Sequence, residues 1–370
     1  MKIITQISRI FVGVLFIISG LIKANDTLGF SYKLEEYFEV FNMTFFVPYA
    51  VGLAMFICIF EIICGIALLL GSYTKLNAWL LLLMIVFFTL LTGYSAITHK
   101  VTDCGCFGDA IKLKPIESFY KDLILLALIL IIFIGQKHIQ PLMKKTLQNL
   151  AMSVSLLVVS FFTFYTYMFL PVKDFLPYKI GNNIKEKMVC PPGSPVDSIV
   201  MMFVYEKNGV KEEFDMNHIP SDTNYKFFDR KDVVVREGCK PPIHDFNLTG
   251  ENDINYTDSL FASQGYKLVL VQKSIDEGRK GLEKQIAQLA ADCINDKKEF
   301  WALTSTSADR TEKYRHENQM AFKYYMVDVV PLKSMVRSNP GLILMKGSTV
   351  VKKWSAYNFP TYDIVVKYMQ

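Results

Sequence analysis

The sequence predicts an α-helical membrane bundle, followed by a small β-rich segment and an α/β domain. Hydrophobic residues make up 51% of the 370 residues and charged residues 20%, and the composition changes sharply near Pro171. Long runs of Leu, Ile, Phe and Val precede this proline, whereas the part after it has the composition of a soluble domain. Towards the end of the chain, strand patterns alternate with helix patterns, as in an α/β domain. We therefore predict a four-helix membrane module over 1–140, a fifth membrane helix over 141–171, the β-rich segment over 172–243 and the α/β domain over 244–370.

Five apolar runs in the first part are each close to the length of a membrane-spanning helix. They cover residues 7–24, 46–70, 76–98, 116–135 and 150–170, and a helix needs roughly 20 residues to cross the hydrocarbon core. The first run does not have the pattern of a cleaved signal peptide, because no small-residue cleavage site follows it and four further runs do. The lipid bilayer is therefore an expected partner. Nucleic acid is not, since the net charge of +5 is spread along the chain without a basic stripe.

Lysine and arginine residues near the spans predict their orientation, because such residues are enriched on the cytoplasmic side. The basic residues that agree on one orientation are Lys2, Arg9, Lys75, Lys137, Lys144 and Lys145. They place the amino terminus in the cytoplasm, and the 25–45 loop, the 99–115 loop and everything after residue 171 outside. Lysines within the 99–115 loop oppose this assignment. The predicted location is the inner (cytoplasmic) membrane of a bacterium, with the C-terminal part in the oxidising periplasm.

The 99–115 loop carries two thiols, Cys104 and Cys106, which only Gly105 separates. Disulfide exchange proceeds by attack of a thiolate on a disulfide sulfur. Gly105 gives the backbone the freedom to close a small ring between the two cysteines. Such a ring is expected to be strained, and strained, exposed disulfides are the labile or catalytic ones. Cys104 and Cys106 are therefore the candidate catalytic residues.

Three other interpretations of this cysteine pair stay open. The pair could form a disulfide that only holds the loop, each thiol could pair with another outer cysteine, or the thiols and nearby aspartates could hold a metal ion. The spacing matches no common metal pattern, and the five histidines are scattered singly. No metal site is therefore predicted.

Two ionisable residues of the predicted spans, Glu61 and Lys23, are candidate polar sites in the membrane. Charged side chains are costly there and commonly functional. Glu61 lies inside the second span and Lys23 ends the first. Glu61 is either a functional carboxylate or a structural hydrogen-bonding residue between helices. For Lys23 we favour an interfacial anchor whose ammonium group extends to the membrane surface, with a chemical role as the alternative.

Several short motifs in the first 140 residues together resemble those of the DoxX-like membrane family, and within it the branch of the methylamine-utilisation protein MauE. They are Ser19-Gly20 with Lys23, Glu61 with Gly65 and Gly71, and Asp103-Cys104-Gly105-Cys106-Phe107-Gly108, the most specific of the three. The resemblance implies a four-helix membrane module linked to redox chemistry, because MauE is associated with making or maintaining disulfides in periplasmic methylamine dehydrogenase. This chain adds a fifth span and a large outer part, so a role in methylamine use does not follow.

The segment 172–243 predicts a small β structure and a disulfide. Asn208-Gly209, between two strand-like runs, is typical of a tight hairpin. Cys190 and Cys239 both lie beside proline pairs, in rigid, turn-like contexts of the same predicted compartment. A structural disulfide between them is therefore expected. The alternatives are two unpaired surface thiols, or a resolving role in which one of them pairs with the cysteine loop.

Residues 244–370 alternate strands and helices and end in a hairpin that Asn339-Pro340 introduces. This order resembles the thioredoxin fold in its TlpA-like or peroxiredoxin-like form. The resemblance implies that Pro340 is a cis-proline that faces the active site and can contact bound polypeptide. It also implies redox cysteines after the first central strand, but residues 272–277 contain none. The domain is therefore expected to lack thiol oxidoreductase activity of its own, and Cys293 is interpreted as a buried core thiol.

Two hypotheses of function follow, and the sequence leaves open whether the chain is an enzyme. In the first, a redox-associated membrane protein exchanges disulfides between Cys104/Cys106 and a periplasmic or envelope protein, as a thiol–disulfide oxidoreductase. Its electrons would pass to or from the membrane, and a quinone is the cofactor considered, although no residue pattern identifies its site. In the second, the chain is a non-enzymatic scaffold whose inactive outer domain binds an envelope protein. A third alternative is a small-solute transporter that uses Glu61 and Lys23.

Overall fold

The chain forms a bundle of helices followed by two β-sheets. The computed structural model describes residues 1–98, 100–101, 105–111, 113–195, 198–207, 209–216, 218–220, 222, 224–236 and 238–369. Cys104 and Asn208, on which two of the predictions depend, lie outside the described residues.

The helices of the first half largely follow the apolar runs. They are α1 (Lys2–Asn25), α2 (Thr27–Val40), α3 (Ala50–Leu70), α4 (Thr74–Thr98), α5 (Pro115–Ile134) and α6 (Lys145–Met168). Within the described residues, four segments are long and apolar enough to cross a membrane, namely α1, α3 with its preceding 3₁₀ turn (Thr44–Leu70), α4 and α6. The fourth predicted span corresponds to α5, whose first half carries Glu117, Lys121 and Asp122. A helical region with four membrane-capable helices is thus confirmed.

The apolar runs do not predict α2, which lies in the segment expected to be an outer loop. Its first turn is capped by Asp26, whose side chain accepts a hydrogen bond from the backbone N–H of Gly29 at 2.9 Å. This is the N-cap arrangement that starts many helices. Phe30 and Tyr37 are buried, and the helix packs against α3. A short helix therefore packs on the end of the bundle at which α1 ends and α3 begins.

Glycines allow α1 and α3 to approach each other closely. A methyl group added to Gly65 would lie 2.8 Å from the carbonyl oxygen of Gly13, and one added to Gly20 would lie 2.5 Å from the Ile62 side chain. Small residues at such a contact let helix backbones pack closely inside a membrane. The contact brings the faces of α1 and α3 that carry the candidate polar residues against each other.

The two ends of the bundle are held by different polar contacts. At one end, Arg9 of α1 donates to the carbonyl oxygens of Leu68 and Leu69 at 2.8 and 2.6 Å. At the other end, Asn25 and the backbone of Lys173 exchange two hydrogen bonds of 2.8 and 3.0 Å. This second end also holds α2 and the loop before α5, and the C-terminal part of the chain packs on it.

A three-stranded antiparallel sheet follows the bundle. Its strands β1 (Ser198–Lys207), β2 (Val210–Asp215) and β3 (Lys226–Arg236) have the order β2-β1-β3. A short helix, α7 (Ile184–Lys187), precedes them. Cys190 and Cys239 form a disulfide with Cα atoms 6.1 Å apart. Because one cysteine precedes the sheet and the other follows it, the disulfide closes the chain around the sheet.

The last part of the chain forms a five-stranded mixed sheet with helices on both faces. Its strands are β4 (Tyr266–Val271), β5 (Glu299–Thr304), β6 (Tyr324–Met326), β7 (Gly341–Lys346) and β8 (Thr349–Ser355), in the order β6-β5-β4-β7-β8. Strands β4, β5 and β6 are parallel, whereas β7 and β8 are antiparallel to their neighbours. The helices are α8 (Thr257–Ala262), α9 (Glu283–Asn295), α10 (Ala308–Glu317), α11 (Val329–Met335) and α12 (Tyr362–Val366).

Alternate residues of the central strand β4 pack into two separate hydrophobic cores. Val269 and Val271 belong to the core on one face, and Leu268 and Leu270 to the core on the other. This alternation is the period-two pattern of a strand that is buried on both sides. Cys293 of α9 is fully buried in the second core, as predicted.

Candidate functional site

Lys23 and Glu61 form a buried ion pair between α1 and α3. Their exposed fractions are only 3% and 5%, and the Lys23 ammonium contacts Oε2 of Glu61. The ammonium also lies 5.2 and 5.5 Å from the ring centres of Phe30 and Phe88, within cation–π distance. Lys23 therefore does not extend to the membrane surface, and the interpretation as an interfacial anchor is wrong. The physical reason is that Glu61 of α3 places a carboxylate opposite Lys23, and this carboxylate holds the ammonium group inside the bundle.

Ser19 connects this ion pair to the cysteine loop. It lies one helical turn before Lys23, on the same face of α1. Its hydroxyl oxygen is 3.0 Å from Oε1 of Glu61 and 2.9 Å from the carbonyl oxygen of Cys106. The single hydroxyl proton can be donated to either acceptor. The structure thus brings together Lys23, Glu61 and Cys106, three of the residues that the sequence singled out.

A second ion pair closes the same site from α5. Asp122 is 1% exposed, accepts a hydrogen bond from the Thr92 hydroxyl at 3.0 Å and lies 2.9 Å from the Lys121 ammonium. These groups line a cavity of about 30 Å³ together with Cys106 and the Lys23–Glu61 pair, which is room for about one water molecule. Two cations and two anions therefore surround the base of the cysteine loop. The signal in the sequence that indicates this ion pair is the presence of two charged residues, Lys121 and Asp122, in the otherwise apolar run 116–135.

A larger, apolar cavity lies beside this polar one. It has a volume of about 500 Å³ and lies between α2, α3 and α4. Its walls are almost entirely aromatic and aliphatic, with Phe30, Phe38, Phe41, Phe87, Phe88 and Tyr94 among them. Phe88 lines both cavities. Aromatic side chains therefore separate the buried Lys23 ammonium from a space that an apolar ring or chain could fill.

The C-terminal part reaches the same end of the bundle through a buried arginine. The Arg337 guanidinium, 6% exposed, donates to Asp26 at 2.9 Å and to Asp109 at 2.6 Å. Burial disfavours its charge, but Asp26 and Asp109 outweigh this effect and raise the pKa of Arg337. Asp26 is the N-cap of α2 and Asp109 lies three residues after Cys106. One guanidinium thus joins the start of α2 and the segment after Cys106 to the C-terminal part.

Tyr32 of α2 is the centre of a second set of contacts with the C-terminal part. The cationic groups of Lys273, Lys333 and Arg337 lie 4.6, 4.3 and 5.5 Å from its ring centre. Lys333 also pairs with Glu35 of α2 at 2.9 Å. The Lys273 ammonium contacts the Tyr32 hydroxyl. Burial, followed by the nearby charges of Arg337 and Lys333, lowers the pKa of Lys273 to about 7.

Lys273 lies in the segment 272–277, which follows β4 and contains no cysteine. The Asn339–Pro340 peptide bond is cis, and the Asn339 side chain donates to the carbonyl oxygen of Ser274 at 2.8 Å. The segment 272–277 and the cis-proline are therefore neighbours. Pro340 is buried, and its role as a peptide contact stays a prediction. Within the described part of the chain, no three His, Cys, Asp or Glu residues are grouped to hold a metal ion.

Comparison with known protein families gives two matches. Residues 1–135 match the family of the methylamine utilisation protein MauE, and residues 199–237 match a domain of unknown function, DUF8463. No curated protein and no solved structure matches the chain. The first match covers α1 to α5 and confirms the MauE resemblance for the region that holds the Lys23–Glu61 pair and the cysteine loop. The helix α6 and the five-stranded sheet lie outside both matches.

Proposed function

We propose that the chain is a membrane-bound thiol–disulfide exchange protein in which Cys104 and Cys106 are the reactive pair. The observation that supports this most strongly is the position of Cys106. Its backbone is hydrogen-bonded to Ser19 directly above the buried Lys23–Glu61 pair, within the region that matches MauE. Buried charges inside a membrane protein are costly and are retained where they have a function. A cysteine loop placed on such a pair fits a chemical role better than a passive one.

The proposed exchange consists of two thiol–disulfide steps. A thiolate of the partner protein attacks the Cys104–Cys106 disulfide and forms a mixed disulfide, with one loop cysteine leaving as a thiolate. A second thiolate of the partner then attacks its own sulfur in the mixed disulfide and releases the other loop thiolate. The partner loses two electrons, which the loop gains. The Lys23 ammonium and Cys106 line the same small cavity, which places a positive charge near the loop where thiolates form.

A membrane quinone is the proposed electron acceptor that restores the loop disulfide. The two loop thiols are oxidised to the disulfide, and their two electrons and two protons reduce the quinone to the quinol. The apolar cavity of about 500 Å³ beside Phe88 supports this choice, because it could take a quinone ring or prenyl chain from the lipid. Glu61 and Lys23 are close enough to the loop to hold and pass on the protons.

The proposed location is the bacterial inner membrane, with the cysteine loop and the C-terminal part in the periplasm. The contact of Arg337 with Asp109 supports placing both on one side of the membrane. The strand order and the cis bond before Pro340 favour a thioredoxin-like domain over 244–370, after a β-rich segment over 172–243. In this proposal, the domain recognises the partner and the membrane loop carries out the chemistry.

A non-enzymatic scaffold is the second candidate. The buried contacts of Arg337, Lys273 and Lys353 favour it, because they hold the C-terminal part on the bundle as a fixed assembly. A loop disulfide in such a protein would only staple the outer surface, and an envelope protein would bind without redox chemistry.

Trapping of a mixed disulfide distinguishes the two candidates. In cells that express the Cys106→Ser variant, the lone Cys104 thiolate is expected to attack the disulfide of the oxidised partner, which is the reverse of the second step. The mixed disulfide should then persist, because Cys106, whose attack on Cys104 would close the loop disulfide and free the partner, is gone. A non-reducing gel after acid quenching should show a higher-mass species that disappears on reduction. The matched control is Cys104→Ser/Cys106→Ser, which should show none. If neither single cysteine variant yields a species that the double variant lacks, the exchange function is wrong and the scaffold is favoured.

A further inference from the structure

Among the cations of the C-terminal part described above, Arg337 is the one that contacts the cysteine loop. Lys333 and Lys273 contact α2, through Glu35 and Tyr32, and Lys353 pairs with Asp174 after α6 at 2.8 Å. Only the Arg337 guanidinium extends to Asp109, at 2.6 Å. A charge-assisted hydrogen bond of this length is among the stronger polar contacts in proteins.

The loop segment around Cys106 is held from two sides. On the side of the bundle, the Ser19 hydroxyl of α1 contacts the carbonyl oxygen of Cys106 at 2.9 Å. On the side of the C-terminal part, Arg337 holds Asp109. Between Cys106 and Asp109 the backbone turns at Gly108, whose N–H donates to the carbonyl oxygen of Gly105 at 3.0 Å. Gly108 has a φ of 51°, which favours glycine. Loss of the Arg337 contact would therefore remove one of the contacts that hold the segment, whereas the Ser19 hydrogen bond and the contact of the Lys121 ammonium with the Phe107 ring, at 5.3 Å from its centre, would remain.

All three nitrogen atoms of the Arg337 guanidinium donate hydrogen bonds at this position. It is 6% exposed, and Nε and Nη2 are used by Asp26 and Asp109, while Nη1 donates to the carbonyl oxygen of Lys333. A buried charge is tolerated only when it is paired and hydrogen-bonded. The contact therefore ties three parts of the fold together: the start of α2, the cysteine loop and the end of α11.

We propose that Arg337 is the positioning residue of the cysteine loop, which it clamps through Asp109 over the Lys23–Glu61 pair, so that opening of this clamp exposes the partly buried Cys106 more fully. The C-terminal part is thus a cover for the loop as well as a recognition surface. This inference deepens the proposed exchange function, since a loop that opens on partner binding would present its cysteines only then. The clamp itself can be tested without any exchange reaction.

The test measures the alkylation rate of Cys106 in purified full-length protein, in a Cys104→Ser background. Peptide mass spectrometry after timed N-ethylmaleimide treatment reports the modified fraction at this position. Arg337→Gln is expected to raise the rate about tenfold or more, the effect of losing one charge-assisted hydrogen bond. Asp109→Asn, whose side chain is 26% exposed, should raise it similarly with little risk to folding. Arg337→Lys, which can still pair with one carboxylate, should give an intermediate rate.

Lys353→Gln is the matched control, because it removes another buried cation of the C-terminal part without touching the loop. Its Cys106 should react at the rate of the parent. Equal rates in the parent, Arg337→Gln and Asp109→Asn would overturn the clamp. So would an equal acceleration by Lys353→Gln, which would show general loosening instead. Neither result bears on mixed-disulfide capture, so failure of the clamp and failure of the exchange function are distinguishable.

Discussion

Replacing Glu61 with Gln is expected to lower the free energy of unfolding by about 3–5 kcal/mol, the usual cost of leaving one partner of a buried ion pair without its counter-charge. Lys23 is 3% exposed and lies between two aromatic rings, so that bulk water cannot replace the lost carboxylate, and the adjoining cavity has room for only about one water molecule. Thermal and denaturant unfolding of the detergent-solubilised protein would measure the loss. Lys207→Met is the control, because it breaks an ion pair with Asp222 whose two side chains are 34% and 42% exposed, and its loss should cost much less.

The double variant Lys23→Met/Glu61→Met separates a structural role from a chemical one. Replacing both charges with apolar side chains of similar size should recover most of the stability, since such replacements are often neutral or stabilising. If the pair serves the cysteine loop, the stable double variant will still fail to form the mixed disulfide described above. A double variant that is both stable and fully active would show that the pair is only structural.

Between pH 7 and 9, the stability of the protein is expected to rise with pH because of Lys273. Its pKa is about 7 in the folded chain against an ordinary value of 10.5, so the unfolded chain binds more protons throughout this range. The contribution of Lys273 to the free energy of unfolding is therefore most favourable above its ordinary pKa of 10.5. It falls as the pH drops towards 7 and no longer changes below about 7. The upper limit of the slope is about 1.4 kcal/mol per pH unit for one group.

The charged and titratable groups that face Lys273 are Tyr32, Glu35, Glu277, Lys333 and Arg337. Burial raises the pKa of Tyr32, so its titration affects stability only at higher pH. Lys273→Met should flatten the pH dependence between 7 and 9 and raise the melting temperature at pH 7. Lys323→Met, which removes an exposed lysine, should keep the parent slope. A Lys273→Met variant with the same slope as the parent would contradict the assignment.

The sequence predicts the elements of this fold better than it predicts their contacts. Long apolar runs show where α1, α3, α4 and α6 lie, because length and hydrophobicity are properties of each segment alone. They do not show α2, since a short helix with a polar face has no such signal beyond its cap, Asp26. The match to MauE confirms the resemblance that the cysteine motif indicated.

The candidate site could be predicted only one residue at a time. Lys23 and Glu61 are each recognisable as costly charges in apolar segments, but their pairing depends on the register of two helices, which the sequence does not specify. Arg337 gives no signal at all. Its partners Asp109 and Asp26 are 228 and 311 residues away along the chain, and an arginine near a strand of an α/β domain is ordinary. The contacts between the C-terminal part and the bundle could therefore be identified only from the structure.

The central claim is that Cys104 and Cys106 cycle between disulfide and dithiol. It is tested most directly by acid-trapping the thiol state of the wild-type loop peptide in membranes, first after mild reduction and then after anaerobic addition of a short-chain quinone. We expect both cysteines to be alkylated after reduction, and both to be protected again after the quinone, with one quinol formed per loop. A loop that stays a disulfide under every reducing condition, or whose thiols stay reduced in the presence of quinone, would contradict the account.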